Sequence, residues 1–328
     1  MSDTNRAVDI RNLFVEYKTY AGMVKVLNGV NFNVDAGEKV AIVGETGCGK
    51  TTTVKSILRI LSSNSRIPKG EIFFRGKDVL KMKDGEVKQL RGAGLSMIFQ
   101  DPTMSLNPVF TIGEQMFEAI RNSGQEGCTR KDVQQELAVK VLKETSMPDP
   151  ERILLSYPFQ LSGGMRQRVC IAMSLATPRD VVIADEPTTN LDVTIQDQVL
   201  KILKDRVESK NSSLILITHS LGVARETSDR IYVMYAGNMV ETAPTAELFK
   251  RQLHPYTQAL MRCIPRLSGG GVAEGIPGRI PNYLDPPKGC RFAPRCPRAV
   301  KRCHEEKPEF YDAGSGHQAA CFHCEGGL

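Results

Sequence analysis

Apolar and polar positions alternate with a period of two over residues 8–17 and again over 26–34, and Val40-Ala41-Ile42-Val43 is a short unbroken apolar run. A period of two sends successive side chains to opposite faces of a strand, and a four-residue apolar run fits a strand covered on both faces, so three strands are predicted. The same reasoning predicts a helix over residues 50–61, strands over 72–74 and 96–99, and mostly helical structure from about 111 to 158, read as an inserted helical subdomain. A strand over 181–184, a helix over 194–207, a strand over 214–218 and a short helix after His219 follow. Strand and helix alternate in the manner of a doubly wound α/β sheet. After about Ile264 the pattern stops. Gly269-Gly270-Gly271 and the prolines at 277, 281, 286, 287, 294 and 297 break any long element, which predicts a separate irregular tail.

At 328 residues, with 41% hydrophobic and 24% charged positions, the chain has ordinary globular composition and length enough for a large buried core. Runs such as Leu214-Ile215-Leu216-Ile217 stop after four residues, against the roughly 18 needed to cross a bilayer. Met1-Ser2-Asp3-Thr4-Asn5-Arg6 lacks the basic and apolar regions of a secretory signal, so a cytoplasmic chain is expected. A formal net charge of +6 is too mild to specify nucleic acid or lipid as a partner. Nine cysteines in such a chain do not suggest a disulfide framework, yet Cys290, Cys296, Cys303, Cys321 and Cys324 crowd the tail.

Candidate chemistry begins with Gly44-Glu45-Thr46-Gly47-Cys48-Gly49-Lys50-Thr51, which fits G-x-x-x-x-G-K-[ST] between a predicted strand and a predicted helix. Backbone N–H groups of such a loop turn toward phosphates and the helix N-terminus adds positive potential. Lys50 then neutralises β- and γ-oxygens, Thr51 can ligate Mg²⁺, Thr52 extends the nucleotide-binding set, and Cys48 serves as a small residue within the loop. Val181-Val182-Ile183-Ala184-Asp185-Glu186 ends an apolar strand in two carboxylates, the end at which such a sheet presents groups to ligand. Asp185 suits Mg²⁺, and Glu186 suits a water attacking the γ-phosphate. Leu161-Ser162-Gly163-Gly164-Met165-Arg166-Gln167-Arg168 opens a helix with a second anion-binding terminus.

In combination these motifs resemble those of the ATP-binding-cassette (ABC) ATPases, over roughly residues 8–263. The resemblance implies an ABC-type P-loop NTPase: an α/β fold with a mixed sheet core, a nucleotide-binding domain over 1–263, a helical subdomain at about 102–165, and a cysteine-rich C-terminal extension over 264–328. In the family, the Ser162, Gly163 and Gly164 terminus faces the phosphate loop of a partner subunit, so that two ATP molecules are sandwiched between two cassettes. Gln100 takes the position of the glutamine that senses Mg²⁺ and water, and His219 that of the histidine holding the γ-phosphate. Asn190-Leu191-Asp192 corresponds to a loop crossing the dimer interface, and Tyr17 to the aromatic stacked on adenine, with Tyr20 a close competitor. Met165-Arg166-Gln167-Arg168 and Phe99-Gln100-Asp101-Pro102-Thr103-Met104-Ser105-Leu106-Asn107-Pro108 resemble the dipeptide and oligopeptide importer ATPases, in which the latter segment contacts the membrane subunit.

The tail resembles theirs too, and the resemblance implies a [4Fe–4S] cluster on Cys290, Cys296, Cys303 and Cys321. Four thiolates also suit Zn²⁺, free thiols remain an alternative, and His323 or Cys324 can stand in for one ligand. The expected function is ATP hydrolysis driving peptide import, on the cytoplasmic face of the membrane. Expected partners are a second ABC ATPase, two membrane permease subunits and, indirectly, an extracytoplasmic solute-binding protein. The rival is a soluble cassette acting on nucleic acid or ribosomes, which the low net charge disfavours.

Overall fold

The computed structural model describes residues 5–189, 191–264 and 275–325, so Asn190 and the Gly269-Gly270-Gly271 run lie outside the described residues. The first part of the chain forms β1 (Arg6–Thr19), β2 (Gly22–Asp35), β3 (Lys39–Val43), α1 (Lys50–Ile57), β4 (Ser65–Phe74), β5 (Lys77–Asp78) and α2 (Asp84–Gln89). The middle forms β6 (Leu95–Ile98), α3 (Pro102–Ser105), α4 (Ile112–Arg121), α5 (Lys131–Glu144), α6 (Pro150–Leu155), α7 (Gly163–Leu175), β7 (Val181–Asp185), α8 (Val193–Ser209) and β8 (Ser213–Thr218). The last part forms α9 (Leu221–Thr227), β9 (Arg230–Tyr235), β10 (Asn238–Pro244), α10 (Thr245–Lys250), α11 (Pro255–Arg262), α12 (Lys301–Glu305), β11 (Tyr311–Asp312) and β12 (Gln318–Ala319). None of the described helices is long and apolar enough to cross a membrane.

Two compact units result, one of residues 1–34, 39–80 and 218–328, the other of 35–38 and 81–217. In the first, β1 pairs antiparallel with β4, Val8 opposite Phe74 and Tyr17 opposite Ser65. Buried Val8 and Ile10 give way to buried Leu13 and Val15, a switch of parity at the register shift between Arg11 and Phe14. An extra residue there bends the strand and returns its apolar side chains to the same core. β3 pairs parallel with β9, while β9 with β10, β10 with β12 and β11 with β12 are antiparallel, so the arrangement is mixed. The reading by periodicity passes over β9 because Ile231, Tyr232, Val233, Met234 and Tyr235 are all buried, leaving no alternation to detect.

In the second unit β6, β7 and β8 run parallel, with Val181 opposite both Leu95 and Ser213. Their helices fold around one apolar cluster. α4 contributes Ile112, Met116 and Ile120 at a spacing of four, and these meet Val141 and Leu142 of α5, Ile153 of α6 and Val169 of α7. Thr111 starts α4 with a capping box: its Oγ1 accepts from the Glu114 N–H at 3.2 Å, and the Glu114 carboxylate accepts from the Thr111 N–H at 2.7 Å.

Candidate functional site

The loop after β3 is shaped by close packing as well as by its sequence. Gly44 has φ 153°, and a Cβ there would sit 2.1 Å from the Met234 carbonyl oxygen, so no larger residue fits. Lys50 is 5% exposed, and its Nζ donates to the carbonyls of Gly44 at 2.7 Å and Glu45 at 3.1 Å. The ammonium is thereby held inside the curve of the loop, at the N-terminus of α1. Thr51 and Thr52 follow on the first turn of α1, and Thr46 and Gly47 are exposed. Burial pushes the Cys48 thiol up, with Lys50 opposing, which keeps it a neutral filler 1% exposed.

Residues far along the chain brace this loop, and the sequence reading missed them. The Tyr256 hydroxyl accepts from the Glu45 N–H at 3.0 Å, the Tyr283 hydroxyl donates to the Gly47 carbonyl at 2.9 Å, and the Gly237 N–H donates to the Cys48 carbonyl at 2.7 Å. The Glu45 carboxylate meets the Arg295 guanidinium in a two-pronged pair at 2.8 and 3.2 Å. Burial opposes the charge on Arg295, but Glu45 and the Tyr235 hydroxyl overcome it and raise its pKa. No motif signals these contacts, because each pairs residues that local patterns treat separately.

Of the other expected residues, His219 is exposed directly after β8, and Ser220 next to it caps α9 by accepting from the Val223 N–H at 3.3 Å. Tyr17 is half-buried near the end of β1, whereas Tyr20 projects fully from the β1–β2 turn.

The second unit holds Gln100, Asp185, Glu186, Asp192 and the Ser162, Gly163 and Gly164 turn. Asp185 closes β7 opposite Ile217 and is 3% exposed. The Gln100 amide donates to Glu186 Oε2 at 2.9 Å, and the Thr189 hydroxyl donates to the same oxygen at 3.2 Å, which fixes this carboxylate at the strand end. Glu186 has φ 46°, a left-handed conformation that costs a residue with a Cβ about 1–3 kcal/mol. Its N–H donates to the Ile217 carbonyl at 2.9 Å, which holds it there. Ser162 caps α7, its Oγ accepting from the Met165 N–H at 3.3 Å, and Gly163 has open space around it while Gly164 abuts Ile195. Asp192 caps α8 by accepting from the Ile195 N–H at 3.0 Å.

The tail cysteines require a correction. All nine cysteines are free thiols, and among the described residues no group of three or more His, Cys, Asp or Glu side chains converges to hold a metal ion. Cys290, Cys296, Cys303 and Cys321 do border one cavity, but it measures about 20 Å³, space for about a single water rather than a four-iron cluster. Burial pushes Cys290 up to about 11, and the Cys324 thiol together with burial raises Cys321. Cys321 and Cys324 instead pack with Leu253 and Ala319 in an apolar cluster. Neither the [4Fe–4S] cluster nor its Zn²⁺ alternative fits the arrangement. The crowding of cysteines in the tail is as expected from the sequence, whereas the cluster implied by the resemblance is not supported.

Comparison with known proteins agrees with the nucleotide reading. Residues 27–189 match the family described as ABC transporter, and residues 240–303 match the C-terminal region of oligopeptide/dipeptide transporters. The chain is 43% identical to a probable peptide ABC transporter ATP-binding protein of Sinorhizobium fredii, over 96% of this chain and 94% of the relative. It is 42% identical to the dipeptide transport ATP-binding protein DppD of Bacillus subtilis, over 97% and 94%. Among solved structures it resembles a dimeric ATP-binding cassette in a post-hydrolysis state bound to ADP and phosphate, with a TM-score of 0.65 and 27% identity over 73% of this chain and 98% of that one. Both curated relatives carry peptide-transport names. The chain belongs to the ABC transporter family, among the ATP-binding proteins of its oligopeptide/dipeptide branch.

Proposed function

We propose that the chain is the ATP-binding and ATP-hydrolysing subunit of an importer for dipeptides or oligopeptides, placed peripherally on the cytoplasmic face of the membrane. The observation that carries the hydrolytic reading is the Glu186 carboxylate, held at the end of β7 by Gln100 and Thr189. A carboxylate fixed in this way orients and polarises the attacking water, and positioning of this kind dominates phosphoryl transfer. The loop and helix start formed by Gly44, Glu45, Thr46, Gly47, Cys48, Gly49, Lys50, Thr51 and Thr52 cradle the phosphates through backbone and Lys50, with the Glu45 carboxylate turned to Arg295, and Tyr17 stacks on adenine. His219 contacts the γ-phosphate. Thr51, Gln100 and Asp185 offer hydroxyl, amide and carboxylate oxygens, the hard donor set that suits Mg²⁺, which when bound neutralises phosphate charge. Residues 1–263 form the nucleotide-binding domain, with its helical subdomain at about 102–165, and 264–328 form its cysteine-rich extension.

One chain carries one phosphate loop and one Ser-Gly-Gly terminus, so two cassettes supply two composite sites. Ser162, Gly163, Gly164 and Asp192 complete the site of the partner cassette. The assembly adds two permease subunits and, outside the membrane, a solute-binding protein. Glu186→Gln keeps the shape of the side chain and removes its base. Phosphate release by the assembled transporter is expected to fall by at least about a hundredfold, equivalent to about 3 kcal/mol of barrier, with ATP still bound. Turnover near the parental rate would count against Glu186 as the water-activating residue.

A further inference from the structure

Arg295 lies 250 residues beyond Glu45 in sequence, yet its side chain is 4% exposed and every one of its guanidinium N–H groups is engaged. Nε donates to the Pro277 carbonyl at 2.8 Å and Nη2 to the Ile276 carbonyl at 2.9 Å. Nη1 reaches Glu45 Oε2 at 2.8 Å and the Tyr235 hydroxyl at 3.2 Å, and Nη2 also reaches Glu45 Oε1 at 3.2 Å. The planar fork therefore ties the chain around residue 276 to the second residue of the phosphate loop. Tyr283 of the same region adds its bond to the Gly47 carbonyl, and the Lys25 N–H donates to the Tyr283 carbonyl at 2.8 Å, which holds the backbone that carries the ring.

Charge makes this more than a fastening. Glu45 follows the first glycine of the loop, and its own carbonyl accepts from Lys50 at 3.1 Å, so its carboxylate is attached to the backbone that surrounds the phosphate-binding ammonium. An unpaired carboxylate there repels a triphosphate, and an unrestrained one competes for Lys50. We propose that Arg295 and Tyr283 of the C-terminal region are positioning residues for nucleotide binding: Arg295 neutralises Glu45 and holds it aside, and Tyr283 fixes the carbonyl of Gly47, so that the loop is preset for phosphate. This rests on the reading of residues 44–51 as the phosphate loop.

The test is titration of the full-length chain with a fluorescent ATP analogue and Mg²⁺, alongside thermal unfolding. Arg295→Gln raises Kd about tenfold, and Arg295→Lys, which keeps the charge but loses the fork, raises it less. Adding Glu45→Gln to Arg295→Gln brings Kd back to within about threefold of the parent, because the uncompensated carboxylate is gone; a residue that merely fastens the tail gains nothing from that second change. If Arg295→Gln does not fold, Tyr283→Phe carries the test, with Kd raised about threefold at an unchanged unfolding midpoint. A Kd within twofold of the parent in Arg295→Gln, or a loss that Glu45→Gln leaves in place, overturns the proposal; so does an unchanged Kd in Tyr283→Phe where that variant carries the test. Lys50→Ala in the same titration separates the two claims: parental affinity there overturns the phosphate-loop reading itself, and the proposal with it.

Discussion

Glu241 is fully buried and divides its oxygens among three neighbours: the Leu253 N–H at 2.8 Å, the His254 N–H at 2.9 Å and His317 Nε2 at 2.7 Å. His254, 2% exposed, in turn starts α11 by accepting the Tyr256 N–H on Nδ1 at 3.0 Å. Only a neutral ring can accept there, and burial lowers the His254 pKa to about 4, Glu241 opposing. The unfolded chain takes up this proton near pH 6.5 and the folded one does not, so the resulting stability is complete above 6.5 and is lost as pH falls toward 4. By pH 5 the loss amounts to about 2 kcal/mol. His254→Asn removes the titration and keeps an oxygen for the cap. In urea unfolding, the stability gap between parent and variant is expected to narrow by that amount from pH 7 to pH 5; a gap independent of pH would contradict the assignment. The same scale explains the failure over the cysteines. Their crowding is visible as composition, whereas the directions of the four thiols depend on how an irregular tail packs, and no spacing rule encodes that.

At the scale of the element, strands and helices were legible where one face is buried and the other exposed, as in β1 and α4. They were illegible where that contrast is missing or where the stop signal is unusual. The expected helix over 50–61 ends as α1 at Ile57, because Arg59 turns to φ 52°. The Arg59 N–H then donates to the Ser56 carbonyl at 3.1 Å and the Ile60 N–H to that of Lys55 at 3.0 Å. This is the pair of bonds that ordinarily closes a helix on glycine, and an arginine in that place gives no warning. The β9–β10 connection is another unsignalled element. Ala236 at φ 43° and Gly237 at φ 79° make a tight hairpin turn, and a Cβ on Gly237 would lie 1.9 Å from the Val26 carbonyl. Gly237→Ala is expected to cost about 1–3 kcal/mol from conformation alone. The backbone clash adds to this and displaces the N–H that braces Cys48. A lowered unfolding midpoint with weaker nucleotide binding is the expected result, and an unchanged midpoint would show that the turn tolerates a side chain.

For the whole molecule, the residues proposed to carry chemistry were readable because phosphate binding and water activation need particular residue types at fixed spacings. Lys50, Asp185 and Glu186 could be located before any fold was known. What holds them was not readable: the strained backbone of Glu186 and the brace of Tyr256, Tyr283 and Arg295 arise from residues separated by tens to hundreds of positions. The central claim, that ATP hydrolysis by this chain drives peptide uptake, is tested most directly in cells whose only copy of the chain carries Glu186→Gln. Accumulation of a labelled dipeptide panel is measured against the parent at equal chain abundance. The account predicts loss of uptake for those peptides that the parental cells import, and uptake at the parental rate for all of them would contradict it.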